Sequence, residues 1–322
     1  MTKLIKKLKT VYPTITEIGG SVEKIIRLVD PKDELWSAFN PSIGYSPEFG
    51  YAMTIRSSNY VINLDTGYLQ ITTGSLVTNK VWFCELDEHL NLVNLREVKF
   101  DSGELSLKRG VEDAKLFWRD GSWWFTAVMM EKEHTSFARM SLFKYDHKKN
   151  VATFIKKYPS PEFNRPEKNW MMPYEPNPNF DFIYGPASIM KDDVFIKYPN
   201  LNSSITPVRG NTNLLKIGDE YLALVHTLYT KNVVWNNPNT FAKQDGLQKI
   251  YTHMFAKYNY KGELTHLSSE FQFEHSGIEF AAGIVEKDDN FVISYGKDDL
   301  SSHFAFLPKS IALMGLREIK NR

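Results

Sequence analysis

Five short polar clusters stand directly ahead of five apolar runs: Asn40, Glu112-Asp113, Lys168-Asn169, Arg209 with Asn211, and Glu279. The set mixes acids for proton transfer, amides for hydroxyl recognition and cations for an anionic group. A second set closes the runs that follow. Arg56 and Asn59 end the first, His226 the fourth and Tyr295 the fifth, with Asp298 and Asp299 just beyond. Tyr251 and His253 open the strand after a long polar stretch. Taken singly, each head residue reads as a turn or cap, and His226 as a core histidine. The recurrence of polar heads at matching positions argues for one shared site.

The elements that carry them have the period of β-strands. WWFTAVMM at 123–130, YLALVHT at 221–227 and FVISYG at 291–296 are apolar runs bounded by turn residues. Asp120-Gly121, Gly218-Asp219 and Asp288-Asp289 are hairpin chemistry. Third strands are expected in FCELD, LFKYD and FAKYN, ending at Asp87, Asp146 and Asn259. Helix signals are few: VEKIIRLV at 22–29 reads as a short helix or an opening strand. The Asn- and Pro-rich stretch from Asn232 to Asp245 reads as a long loop.

Five hairpins with similar heads predict radial repetition: an all-β, five-bladed β-propeller with a short N-terminal extension. Residues 1–322 form one domain in this reading, with 1–35 as extension or outer strand. In such a ring the heads of the innermost strands meet at one funnel, so five distant positions become neighbours.

Composition narrows the partners. The formal net charge is +1, which argues against nucleic-acid coating. A single cysteine, Cys84, rules out an internal disulfide and fits a reducing, cytoplasmic address. Within an alternating strand it reads as a small buried hydrophobe. No apolar run has the ~18 residues of a membrane span. Aromatic residues are 14% of the chain, more than a simple core requires. Most belong in blade cores, and Trp170, Tyr251 and Tyr295 are the candidates for stacking on a sugar. No Cys/His metal spacing, phosphate-binding glycine loop or G-x-S-x-G elbow is present, so no metal or cofactor is expected.

RGVEDAKLF at 109–117 resembles the Arg-x-Glu-Asp-Pro-Arg signature of glycoside hydrolase family 130, the β-mannoside phosphorylases and related hydrolases. Asn40-Pro-Ser resembles that family's first-blade Asn-Pro, and SYGKDD at 294–299 its closing Tyr-Gly-x-x-Asp. The order agrees from Asn40 to Asp299. Ala114 and Lys115 stand where the family has Pro and Arg, and Arg109 lies one residue further from Glu112. EKNWMMPY, RGNTNLL and IEFAAG resemble a less characterised branch of the same propellers.

The resemblance implies a carbohydrate or glycoconjugate substrate, mannoside-like, and an inverting reaction with Asp113 as general acid. Its proton must be held by burial or by a neighbouring acid, for which Glu279 is the candidate. Inorganic phosphate enters as co-substrate if Arg56, Lys168, Arg209 and His226 hold it. Asp299 matches the closing aspartate and is expected to bind sugar hydroxyls. Two alternatives stay open. One is a glycosyltransferase on the same propeller, using a sugar-phosphate or sugar-nucleotide donor. The other is a non-catalytic glycan-binding propeller.

Overall fold

The structure, a computed structural model, describes residues 12–25, 36–101, 105–131, 138–161, 166–186, 188–198, 208–236 and 243–319. Five antiparallel blades stand around a central channel. The first contains Ser37–Ser46, Gly50–Ser58, Asn79–Leu86 and Leu92–Glu97 from the inside outward. The second contains Glu112–Arg119, Ser122–Glu131, Ala138–Asp146 and Val151–Lys157, with Lys99–Asp101 added in parallel at its edge. The third contains Phe182–Gly185, Ser188–Lys191 and Val194–Lys197, and its inner position is taken by an extended segment bridged at Met171.

The fourth blade has an interrupted inner strand, Arg209–Gly210 and Leu215–Ile217. Outside it lie Glu220–Asn236, Lys243–Tyr258, Leu264–Leu267 and Arg317–Glu318. The fifth contains Glu279–Lys287, Asn290–Lys297 and Ser301–Pro308, and its outer strand is Ser21–Lys24 from the other end of the chain. Val22 therefore opens a strand rather than a helix; residues 26–29 lie outside the described residues. A short helix, Lys309–Met314, is the only one among the described residues.

Five hydrophobic clusters fill the five seams between blades. Phe83, Trp123, Phe125 and Tyr145 join the first blade to the second. Phe117, Tyr158, Trp170 and Phe182 join the second to the third. Met171, Ile183, Tyr221 and Tyr258 join the third to the fourth. Phe255, Phe273, Phe291 and Tyr295 join the fourth to the fifth. Ile43, Met53, Val285 and Val292 close the ring between the fifth and the first. Inner strands such as Ser37–Ser46 and Glu279–Lys287 are buried on both faces, which accounts for much of the aromatic excess. Cys84 lies in the last of these seams, where burial pushes its thiol pKa up and leaves it inert.

One irregularity recurs where the inner strands face the channel. Register shifts occur between Phe39 and Ser42, between Glu112 and Lys115, and between Ala281 and Gly283. These are β-bulges, which re-aim a side chain and stop regular pairing. In two of them the bulged residue is left-handed: Asn40 at φ 51° and Asp113 at φ 49°. Asn and Asp tolerate that conformation best among residues with a side chain. The loosened backbone is stitched across seams by hydroxyls. Ser42 Oγ donates to the Ala282 carbonyl at 3.0 Å and accepts from the Leu116 N–H at 3.0 Å. Ser294 Oγ donates to the Pro41 carbonyl at 2.7 Å and accepts from the Ile43 N–H at 2.9 Å.

Gly110 precedes the second bulge at φ +71°, packed so that a Cβ would overlap the Asn79 carbonyl. Gly110→Ala combines left-handed strain with overpacking, each costing about 1–3 kcal/mol. A fall in the thermal midpoint of several degrees is expected in differential scanning calorimetry. An unchanged midpoint would mean that this backbone crossing is looser than drawn.

The stretch from Asn232 to Asp245, expected as a loop, is instead part of a long two-stranded ribbon. Asn232 pairs with Leu247 and Asn236 with Lys243. Residues 237–242 lie outside the described residues. Cross-strand pairing over the full length of both strands overrides the poor strand propensity of the asparagines.

Candidate active site

The two bulges aim Asn40 and Asp113 at each other. Asn40 Nδ2 donates to Asp113 Oδ1 at 2.9 Å. Arg56, at the end of the first blade's second strand, donates from Nη1 to the same oxygen at 3.1 Å. Its Nη1 also lies 3.9 Å from Glu112 Oε2. Its Nε donates to Asn79 Oδ1 at 2.9 Å, and its Nη2 reaches the Tyr60 hydroxyl at 3.5 Å. Tyr60 in turn donates to Asp299 Oδ2 at 2.8 Å. Lys168, from the third blade, donates to Glu112 Oε2 at 2.6 Å. One chain of contacts thus joins the heads of blades one, two and three to the closing aspartate of blade five.

The fourth blade completes the ring. Arg209 pairs in register with His226, whose imidazole lies 5.2 Å from the Tyr251 ring and 5.9 Å from the Phe280 ring. Arg209 carries no ion pair among the described residues, and its side is exposed. The Tyr251 hydroxyl lies within electrostatic reach of Asp299, Asp113 and Arg209, which places it beside the funnel. Burial and the two carboxylates push that hydroxyl up to about 12.

The two channel aspartates are driven in opposite directions. Burial raises Asp113, but the Arg56 and Lys168 charges and the Asn40 and Arg56 hydrogen bonds outweigh it and hold its carboxyl below the usual range. Burial is the dominant influence on Asp299, and the neighbouring Asp113 charge adds to it, so Asp299 is pushed up despite Arg56 and Tyr60. These directions run against the expected proton on Asp113: its surroundings favour the ionised form, and those of Asp299 favour the protonated one. Glu112 is likewise held low, because Arg56 and Lys168 outweigh its burial.

Several expected residues have other work. Glu279 is fully buried, and its carboxylate accepts backbone N–H bonds from Phe273 at 2.7 Å, Glu274 at 2.8 Å and His275 at 3.2 Å. It caps this turn and makes no contact with Asp113, so it is not that residue's partner acid. Trp170 is fully buried in a seam, with Nε1 donating to Glu167 Oε2 at 3.1 Å, and offers no stacking surface. Tyr295 is also fully buried, stacked 4.0 Å from Phe273 with its hydroxyl donating to Glu274 at 2.6 Å. Of the aromatic candidates, Tyr251 alone reaches the funnel.

Asn59 anchors the loop after it, donating to the Thr73 and Leu76 carbonyls and accepting from the Thr78 N–H. His253 is buried against Phe271 and Phe273, and burial drives it down to about 3, so it is a neutral core residue. His226 is also driven well below its usual pKa, first by burial and then by cationic neighbours that include Arg209. It contributes a neutral imidazole, not the cation expected of it. Asn169 sits at φ 66° with its carbonyl packed against Gly210. Asn211 is fully buried, and neither end of its amide has a hydrogen-bond partner among the described residues.

Three residues of the constellation were not singled out from the sequence as site residues. Tyr60 and Asn79 orient Arg56, and Tyr60 follows it by four residues in the polar run Ser57-Ser58-Asn59. Lys115 was noted only as a departure from a motif. Its ammonium is buried, donates to the Trp170 carbonyl at 3.1 Å, and has its pKa lowered by burial to about 7. No group of acids, histidines or cysteines suited to a metal ion is present among the described residues.

No family model matches the chain, and no curated protein matches it. Solved structures do. β-1,2-Mannobiose phosphorylase from Listeria innocua superposes with a TM-score of 0.60 at 12% identity, over 89% of this chain and 94% of that one. A glycoside hydrolase in the GH130 family of mannoside phosphorylases, targeting β-1,2 mannosidic linkages in Candida mannan, gives 0.60 at 11% identity, over 94% and 96%. The fold is the GH130-type five-bladed propeller. A GDP-Man-dependent mannosyltransferase from Leishmania mexicana matches the same propeller with a TM-score of 0.55 at 11% identity, over 94% and 93%. Neighbours with this propeller thus break glycosidic bonds or make them, and the fold alone does not choose.

Proposed function

We propose that this propeller is a carbohydrate-active enzyme that exchanges a glycosidic bond by single displacement on a mannoside-like sugar, with phosphate as the partner group. The observation that carries the reading is the pair of channel aspartates joined through Arg56 and Tyr60, and the opposite directions in which their surroundings push them support it. Two acids pushed apart in this way divide the roles of donor and charge stabiliser. Asp299 gives its proton to the glycosidic oxygen as the bond to the anomeric carbon breaks. Ionised Asp113, fixed by Asn40 and Arg56, faces the positive charge that develops on the sugar. The sugar neighbours named above agree with this substrate class.

Phosphate is favoured over water by the cation inventory. Arg56 is engaged with Asp113, Lys168 with Glu112, and His226 is neutral, which leaves Arg209, of the four expected cations, without an ion pair among the described residues. Its fork suits a phosphate, either free and attacking or carried by a donor sugar. The second form is the transferase reading, and the same arginine supports it. A product screen separates them: mannosyl disaccharides with and without inorganic phosphate, then mannose-1-phosphate or GDP-mannose with acceptor sugars. Phosphate-dependent release of sugar-1-phosphate is the expected result. No turnover and no melting shift with any of these would sink both forms.

The dyad also fixes a pH profile. Activity should rise as Asp113 ionises, below the usual aspartate pKa of about 3.9, and fall as pH passes the raised pKa of Asp299. The Tyr60 hydrogen bond lowers Asp299. Tyr60→Phe removes it, so the falling limb of kcat/KM should move to higher pH. A limb that stays in place, or moves down, would assign it to another group.

A further inference from the structure

The fourth-blade ribbon does more than carry Tyr251. Arg209–Gly210 accompanies it as far as His226, and the ribbon itself continues to Asn236 with no other inner partner among the described residues. The Tyr251 N–H donates to the Gly277 carbonyl of the fifth blade at 2.9 Å. Further out, the backbone at Gly246 meets the Thr66 carbonyl, and that at Gly67 meets the Leu247 carbonyl, so closely that neither glycine has room for a Cβ. Thr66 and Gly67 belong to the turn of a small hairpin, Tyr60–Ile62 with Leu69–Ile71, that rises from the first blade. The ribbon therefore bridges from blade four, past blade five, to blade one.

The bridge encloses a cavity of about 210 Å³. Ile62, Leu64 and Leu247 form its apolar wall, and Gln248, Lys249 and Ser276 its polar wall. Two of these positions tie it to the acid. Ile62 follows Tyr60 by two residues on one short strand and shares its face. Lys249 precedes Tyr251 by two residues on the ribbon, and its charge acts on Asp299. The cavity thus begins where the funnel ends.

The charges in and behind its wall sum to a negative excess. His275 in the wall is raised to about 9 by its hydrogen bond to Asp298 at 3.1 Å and its ion pair with Glu279 at 3.4 Å, so its positive charge is committed to them. Lys249 is the other cation in the wall, and Asp65 adds a negative charge to it. Such a site discriminates against a net anion. An apolar wall opposite an amide and a hydroxyl suits the two faces of a pyranose ring. The volume falls short of the ~300 Å³ at which sites for larger ligands begin. We infer that this cavity is an outer subsite for one neutral sugar unit of an oligosaccharide whose scissile bond lies over Asp299. The inference rests on the glycosidic reading above and extends it to substrate length.

The test compares β-1,2-linked mannobiose and mannotriose on the wild type, Ser276→Trp, which fills the cavity, and Gln248→Ala, which removes its amide. Two quantities are read: the ratio of kcat/KM for the longer to the shorter sugar, and the melting shift given by mannotriose. One or two hydrogen bonds predict a preference of up to about tenfold for mannotriose in the wild type. That ratio should fall to near one in Ser276→Trp and drop severalfold in Gln248→Ala, with unliganded melting temperatures close to wild type. Turnover with no length preference, or a preference that survives both substitutions, overturns the subsite and leaves the catalytic reading standing. A mannotriose melting shift that Ser276→Trp abolishes, without turnover of either sugar, keeps the subsite and overturns the catalytic reading.

Discussion

Arg56→Met should be among the most damaging single substitutions in this protein, lowering its stability by about 3–5 kcal/mol, the usual cost of removing one partner from a buried ion pair. The guanidinium is buried and holds Asp113, Glu112, Asn79 and Tyr60 at once. Methionine fills similar space, so the loss is mainly the two carboxylates left without their cation. The pH dependence checks that cause. Asp113 and Glu112 have depressed folded pKa values, so their contribution to stability is present above the unfolded value. It fades as pH falls through the folded values. The gap in thermal midpoint between wild type and Arg56→Met should therefore be widest near neutral pH and narrow on acidification below about pH 4. A gap independent of pH would mean that packing, not charge, is what the arginine supplies. Arg56→Lys should recover only part of the loss, because an ammonium cannot reproduce the fork that spans Asp113 and Asn79.

Asp113→Asn should leave the fold intact and remove most of the catalysis. Asparagine tolerates the left-handed backbone at φ 49°, and Arg56 keeps Glu112 as a counter-charge. What disappears is the negative charge facing the sugar. Loss of such a preorganised group lowers kcat by about 10²–10⁴. KM and the sugar-dependent melting shift should change little, since the amide still offers one acceptor. Full turnover in Asp113→Asn would remove Asp113 from the chemistry. Unchanged sugar binding with no turnover even in the wild type would instead favour a glycan-binding module.

Much of the ring was legible because its parts are local. Hairpin period, Asp-Gly turns and the repeated polar heads mark the inner strand pairs of four blades. The third blade is less regular, its inner edge being an extended segment bridged at Met171. Asn40 and Asp113 were singled out as polar heads of apolar runs, and the structure adds the bulges at positive φ that turn them toward each other. The errors follow from parity. On a period-two strand, a residue near the funnel faces either the channel or a seam, and sequence does not say which. Tyr295, Trp170 and His253 fell on the seam side. Glu279 turned back to cap its neighbours' backbone.

The proton's place was not legible either. Asp113 and Asp299 are separated by most of the chain, and Tyr60 and Arg56 join them only after the ring closes. Which of two acids is ionised depends on how many cations surround each, and that is a property of the assembled funnel. The ribbon was misread for a different reason. Asn and Pro are poor strand formers, but two long strands paired with each other need no help from the blade beneath.

The outer strand of the fifth blade carries a consequence for how the molecule is made. Val22 pairs with Ala305, roughly 280 residues later in the chain. At a ribosomal rate of about 5–20 residues per second, the first strand waits on the order of 15–60 seconds for its partner to emerge. During that interval the flank of the first blade formed by Ile43, Met53 and Ile55 has no fifth blade to cover it. The nascent ring is thus an open arc with a greasy leading edge, and its last-made strands act as the clasp. Holding chaperones should find their target on that edge, and their demand should end abruptly when residues 301–308 leave the exit tunnel.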